Sequence, residues 1–263
     1  MTFLRLCRPA VSRFAMVLAA FVWAAGSPAL AAGPAAPLDT FPTKKLTDKA
    51  ALQNGAKLFM NYCLGCHGLS QVRYNRLADL GLTEDQIKAN LLLTDAKVGD
   101  LIKTTMPLKD SAAWFGKAPP DLSLTARSRS SSAGTGADWI YTYMRSYYLD
   151  PSRPTGWNNL VYPAVGMPHV LWELQGKNLA EFKTISKGGA EQHVFDRFVV
   201  QTPGKASASD YDNIVADLTA FLAWAAEPVA QTRKQVGVWV LLFLALFFVF
   251  AWRMNAAFWK DIR

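Results

Sequence analysis

Apolar residues recur at helical spacing in four stretches of the chain and run almost without interruption in a fifth. Ala51, Leu52, Ala56, Leu58, Phe59 and Tyr62 share one face of a helix expected from about Asp48 to the Cys63–His67 segment. A second helix starts at Thr83, whose spacing to Gln86 makes a capping box, and carries Ile87, Leu91 and Leu92. A third spans Ala137 to Leu149 and is rich in aromatics: Trp139, Tyr141, Tyr143, Tyr147 and Tyr148. A fourth runs from about Asp210 to Ala226, ahead of Pro228. Strand signals are weak and limited to pieces such as His193 to Val200. Pro107, Pro119, Pro120, Pro151, Pro154, Pro163 and Pro168 break the middle of the chain into turns, and Ser128 to Gly136 is a Ser/Gly-rich, solvent-facing loop. No internal repeat is visible. The pattern is mainly α with long loops, as expected where a chain wraps a prosthetic group.

The fifth stretch, Val236 to Trp252, carries no charge, is apolar on every face, and is bracketed by Arg233 and Lys234 before it and Arg253 behind. That reads as a transmembrane helix with Trp239 and Trp252 near the interfaces. Residues 1–31 read as a cleaved signal peptide: Arg5, Arg8 and Arg13 charge the front, Phe14 to Ala25 is apolar, and Ala29-Leu30-Ala31 is a small-residue cleavage site. The expected organisation is leader 1–31, an exported domain 32–229, an anchor 230–253 and an internal tail 254–263. In a bacterium this places the domain on the periplasmic side of the inner membrane, with one helix returning. The short junction at Pro228 seats the domain close to the membrane, in a larger assembly rather than on a tether. The net charge of +8 is supplied by the leader, the tail and Arg233–Lys234, which leaves the exported part near +1. A basic total of this origin reports targeting and anchoring and gives no support to a nucleic-acid partner.

Chemistry enters at Cys63-Leu64-Gly65-Cys66-His67. Two thiols about one helical turn apart can form thioethers to both vinyl groups of one haem, while the adjacent imidazole reaches the iron. A thioredoxin-like pair expects a βαβ setting. A structural zinc needs a second ligand pair, yet no cysteine follows Cys66, and His169 and His193 are isolated. Cys7 falls within the leader, so haem would occupy both mature thiols and leave no disulfide. The sixth iron ligand is Met or His. Met60 is too close to the motif, Met144 reads as core packing and Met254 lies beyond the span. Met106 and Met167 are both followed by proline, which stiffens a ligand loop, and spacing alone divides them evenly.

Beyond the haem motif, the chain carries Val72-Arg73-Tyr74 with Arg76-Leu77, then Ala118-Pro119-Pro120-Asp121-Leu122-Ser123 with Ala126-Arg127. Phe221-Leu222-Ala223-Trp224-Ala225-Ala226-Glu227-Pro228 leads through Arg233-Lys234 into the anchor. By these segments, across nearly the whole mature chain, the sequence resembles the cytochrome c1 family, the haem subunits of ubiquinol:cytochrome c oxidoreductase (the cytochrome bc1 complex). It departs from the family at Arg145-Ser146-Tyr147, where Thr-Gly-Tyr is common. The resemblance implies one covalent haem c on Cys63 and Cys66, His67 and Met167 as axial ligands, Pro119 and Pro120 lining the haem pocket, and Arg127 pairing with a propionate. It further implies cytochrome b, a Rieske iron-sulfur protein and an acceptor cytochrome c as partners in a dimeric complex, with no catalytic residue and no chemistry beyond electron transfer. Two rival functions are an anchored shuttle to an oxidase, which the short junction disfavours, and a haem enzyme or gas sensor with an open iron site.

Overall fold

The computed structural model describes residues 36–187 and 190–262, so the expected leader lies outside the described residues. In chain order the helices are α1 (Lys49–Leu58), α2 (Glu84–Asn90), α3 (Leu108–Phe115), α4 (Thr125–Ser128), α5 (Gly136–Arg145), α6 (Trp172–Gln175), α7 (Ala208–Ala226) and α8 (Ala230–Phe258). Between them run three two-stranded antiparallel pairs. These are β1 (Leu69–Arg73) with β2 (Leu101–Ile102), β3 (Tyr147–Leu149) with β4 (Trp157–Asn159), and β5 (Gly176–Lys187) with β6 (Ala190–Pro203).

Helix α1 begins where Asp48 accepts hydrogen bonds from the Ala50 and Ala51 N–H groups, two donors with no partner inside the helix. Its buried residues, Ala51, Leu52, Gly55 and Ala56, continued by Phe59, follow the predicted face, whereas Tyr62, expected on that face, is exposed. That face packs on α7, which Ser207 caps through the Asp210 N–H. The two backbones cross at Gly55: a Cβ there would run into the Asp217 carbonyl and come within 2.7 Å of the Phe221 Cβ. Phe59 and Phe221 close the crossing with ring centroids 5.8 Å apart. At its edge the buried Asp217 carboxylate is paired, accepting from Lys45 Nζ at 2.7 Å and Asn54 Nδ2 at 2.9 Å. The core continues through Leu69, Leu77, Ile102 and Tyr147, so the loops between the helices share it.

The capping box at Thr83 and Gln86 forms as expected. The third expected helix stops at Arg145, short of Leu149, because side chains take over its last carbonyls. The Tyr143 carbonyl accepts from Asn159 Nδ2 at 2.7 Å and Ser146 Oγ at 3.3 Å, and Tyr147–Leu149 then pairs with β4. Arg145, the departure from the family pattern, bonds Asp212 and Asp39, each at 2.6 Å, with its guanidinium 4.5 Å over the Tyr141 ring. It ties α5 both to α7 and to the chain before α1.

The weak strand expectation is corrected by the β5–β6 hairpin, much longer than His193–Val200. Leu179, Phe182 and Ile185 recur every third residue on β5 and therefore fall on both faces, so no period-2 pattern is visible. On β6 two bulges, opposite Lys177/Asn178 and Glu181/Phe182, reset the phase.

Helix α8 extends past both ends of the expected span, from Ala230 to Phe258. Its apolar side chains are exposed throughout, and at 29 residues it is long enough to cross a bilayer, at ~1.5 Å rise per residue. Arg233, Lys234 and Arg253 are good helix formers and do not end it. At the junction Glu227 and Arg233 pair at 2.5 Å, linking the end of α7 to the first turn of α8.

Candidate functional site

Helix α1 does not stop at Leu58 but widens into a π-helical turn, Phe59–Cys63, whose Leu64 N–H reaches the Phe59 carbonyl. Such turns recur at functional sites because the extra residue re-aims the side chains that follow. Here it delivers Cys63, Cys66 and His67 on one tight turn: the Cys66 and His67 N–H groups both bond the Cys63 carbonyl, at 3.0 and 2.8 Å. Both thiols are free, Cys63 buried and Cys66 half-buried. Burial, and then the neighbouring Cys66, push the Cys63 thiol up to about 12.

His67 is only 8% exposed, and its Nδ1 lies 2.7 Å from the Pro120 carbonyl. A carbonyl can only accept, so Nδ1 carries the proton and Nε2 keeps a free lone pair. Burial lowers the pKa of His67, against the opposing pull of Pro120 and Asp121, and favours the neutral ring that binds metal.

The Pro120 carbonyl is held in place by the residues behind it. Asp121 accepts from the Ser70 N–H at 2.7 Å and the Ser123 N–H at 2.9 Å. Ser123 Oγ accepts from the Gln71 N–H at 3.1 Å, and the Leu122 N–H bonds the Gly68 carbonyl at 2.9 Å. The segment after the haem motif and the Pro119–Ser123 segment are thereby laced together. The second of these is a tight Asp-x-Ser turn, a signal present in the sequence but not used there. Thr104 adds a bond from its hydroxyl to the Gly65 carbonyl at 3.1 Å.

Met167 is half-buried in the loop between β4 and α6. Tyr143 Oη lies 3.5 Å from its sulfur and Tyr147 Oη 3.3 Å from its carbonyl, with the two hydroxyls 2.6 Å apart. Burial pushes the Tyr143 hydroxyl up to about 12 and raises Tyr147 as well, so both stay protonated and able to donate. The loop is anchored upstream at Ala164, whose φ of 59° is left-handed and unusual for a residue with a Cβ. The Ala164 N–H to Asn158 Oδ1 bond and the Arg153 bond to its carbonyl hold it there. Met106, half-buried, bonds through its own N–H to Thr104 Oγ1.

Arg127 is exposed, and its charge helps to hold the Glu227 carboxyl below the usual range, behind the larger contribution of Arg233. Arg129 lies 4.5 Å over the Trp139 ring, which stacks on Tyr143, and its charge is felt at the Tyr143 hydroxyl. His169 is buried, stacked 4.7 Å from Tyr147, and burial lowers it to about 4, with only partial compensation from Gln175. His193 is exposed on the hairpin.

Two thiols and a tautomer-fixed imidazole on one turn, with a methionine loop and an apolar anchor, define a class: a membrane-anchored c-type cytochrome with one haem attachment motif. The donor set present fits a covalently held haem. The sequence profile of the Cytochrome C1 family matches residues 41–262. Cytochrome c1 of Allochromatium vinosum is 45% identical, over 94% of this chain and 98% of its own length. The ammonia monooxygenase gamma subunit of Nitrosomonas europaea is 41% identical over 94% and 96%, and mitochondrial cytochrome c1 of Saccharomyces cerevisiae is 24% identical over 90% and 73%. The chain belongs to the cytochrome c1 family. Its members carry one covalently bound haem c, and it is an electron-transfer subunit of a cytochrome bc1 complex, anchored in the membrane.

Proposed function

We propose that the haem domain lies on the periplasmic side of a bacterial inner membrane, takes single electrons from a Rieske iron-sulfur protein, and passes them to a cytochrome c. In this reading Cys63 and Cys66 would hold the haem through thioethers, and His67 Nε2 and Met167 Sδ would ligate its iron. Pro119 and Pro120 line the pocket. By resemblance Arg127 is the propionate partner, and Arg129, two residues on and lying against Trp139, is a second arginine of the same segment. The observation that carries the reading is the 2.7 Å contact from His67 Nδ1 to the Pro120 carbonyl, because it leaves one nitrogen, Nε2, for the iron.

When bound, the haem supplies a one-electron iron couple, and Met ligation favours a higher potential than a second imidazole. The chain's residues do the rest. Pro120 fixes the imidazole tautomer, and Asp121 fixes Pro120. Tyr143 and Tyr147 hold Met167, so neither ligand needs to reorganise when the charge on the iron changes. Quinol oxidation belongs to cytochrome b. The paired Glu227 and Arg233 keep the domain close to the anchor, which suits a fixed place in a dimeric complex with cytochrome b.

The test is detergent extraction followed by single-turnover reduction with a quinol. Cytochrome b and a Rieske protein should co-purify, and removal of the Rieske protein should abolish rapid haem c reduction. Recovery as a lone chain, or rapid reduction without the Rieske protein, contradicts the proposal.

A further inference from the structure

Two hydroxyls meet at Met167. The Tyr143 ring is fixed by stacking on Trp139 at 4.8 Å, and the Tyr147 ring by stacking on His169 at 4.7 Å. With both rings held, the remaining freedom at their tips is rotation of each O–H. Two protons face three acceptors: the Met167 sulfur at 3.5 Å, the Met167 carbonyl at 3.3 Å, and whichever tyrosine oxygen is left. Only two head-to-tail chains use the 2.6 Å contact between the hydroxyls. In one, Tyr147 donates to Tyr143 and Tyr143 to the sulfur. In the other, Tyr143 donates to Tyr147 and Tyr147 to the carbonyl.

We propose that Tyr143 is a positioning residue for the axial sulfur, and that its proton is shared between Met167 Sδ and Tyr147 Oη, so that the pair sets how strongly the sulfur donates to the iron. This rests on Met167 being the axial ligand. A thioether is a weak acceptor, but a hydrogen bond to it from the buried Tyr143 still draws electron density from its lone pair. Less donation favours the reduced iron. The switch between chains rotates two O–H bonds and releases no proton; the electron alone arrives at or leaves the iron.

The two tyrosines therefore act in opposite directions. Removing the Tyr143 hydroxyl frees the sulfur and favours the oxidised state. Removing the Tyr147 hydroxyl takes away the competing acceptor, commits the Tyr143 proton to the sulfur, and favours the reduced state.

The experiment is a redox titration of haem c in the membrane-extracted complex for Tyr143→Phe, Tyr147→Phe and Met167→Leu, with the ferric spectrum recorded in each. Tyr143→Phe should shift the oxidised-to-reduced balance about threefold towards oxidised, a fall of ~28 mV at ~59 mV per tenfold for one electron. Tyr147→Phe should shift it about twofold the other way, a rise of ~18 mV on the same scale. Both should keep the ferric charge-transfer band of sulfur ligation. A purely structural role would lower thermal stability without splitting the potentials in sign. Shifts of the same sign, or none, overturn the proposal while leaving Met167 as ligand. If Met167→Leu stays low-spin and closed to carbon monoxide, the ligand assignment and the proposal fail together. Should Tyr143→Phe fail to assemble, Tyr147→Phe decides alone: a rise supports the proposal, and a fall or no change overturns it.

Discussion

Asp138 joins two parts of the chain nearly a hundred residues apart. One oxygen accepts from the Phe41 N–H at 2.7 Å, and the other caps α5 through the Thr135 N–H at 2.8 Å and hydroxyl at 2.7 Å. Burial pushes its carboxyl up, but these bonds outweigh it and hold the group below the ordinary 3.8. A carboxylate lowered in the folded state stabilises the fold fully above the ordinary value, and that contribution disappears as pH falls through the lowered one. Asp138→Asn should cost about 1 kcal/mol at neutral pH. It should also flatten the acid limb of stability below about pH 4, measurable as urea midpoint against pH; an unchanged limb contradicts the assignment. The Thr83–Gln86 box was legible in the sequence because its two halves are one helical turn apart. Tyr143 and Met167 were not paired there, because their contact is made by folding rather than by spacing. Arg127 and Arg129 carry the same chemistry two residues apart, and spacing in the sequence could not show that Arg129 lies over the Trp139 ring while Arg127 is exposed.

At the scale of elements, the α1–α7 crossing depends on Gly55 having no side chain. Gly55→Ala should force the helices apart and cost about 1–3 kcal/mol or more, as overpacking does. Haem incorporation should fall with it, since α1 leads directly into Cys63. A Gly55→Ala chain with wild-type melting temperature and haem content contradicts that crossing. Asp48→Ala, which removes the cap of the same helix, should cost about 1 kcal/mol, readable as a drop in melting temperature. The helices were legible because α1, α2 and α5 each combine an apolar face with a side-chain cap, while α7, capped by Ser207, is a mostly apolar run of helical length buried on nearly every side from Val215 to Leu222. The β5–β6 hairpin was not, since bulges and apolar residues on both faces hide its period. The end of α5 was misplaced because Asn159, fourteen positions past Arg145, takes the Tyr143 carbonyl.

For the whole molecule, the haem-binding turn, the Pro119–Ser123 segment and the Met167 loop come from three distant parts of the chain and meet through one core, while α8 stands apart as an apolar helix. The sequence disclosed the motif and the apolar anchor helix, and the resemblance supplied Met167 as the ligand to test. It could not disclose what holds them, because the Asp121–Ser70 and Tyr143–Met167 bonds are long-range. The central claim is that His67 and Met167 close the iron from both sides in an electron carrier. The most direct test is the reduced spectrum of the extracted complex under carbon monoxide, with Met167→Leu beside Met106→Leu. The account predicts that Met167→Leu binds carbon monoxide and has a lowered potential, while Met106→Leu stays low-spin and closed. An open haem in Met106→Leu with a closed one in Met167→Leu would contradict it.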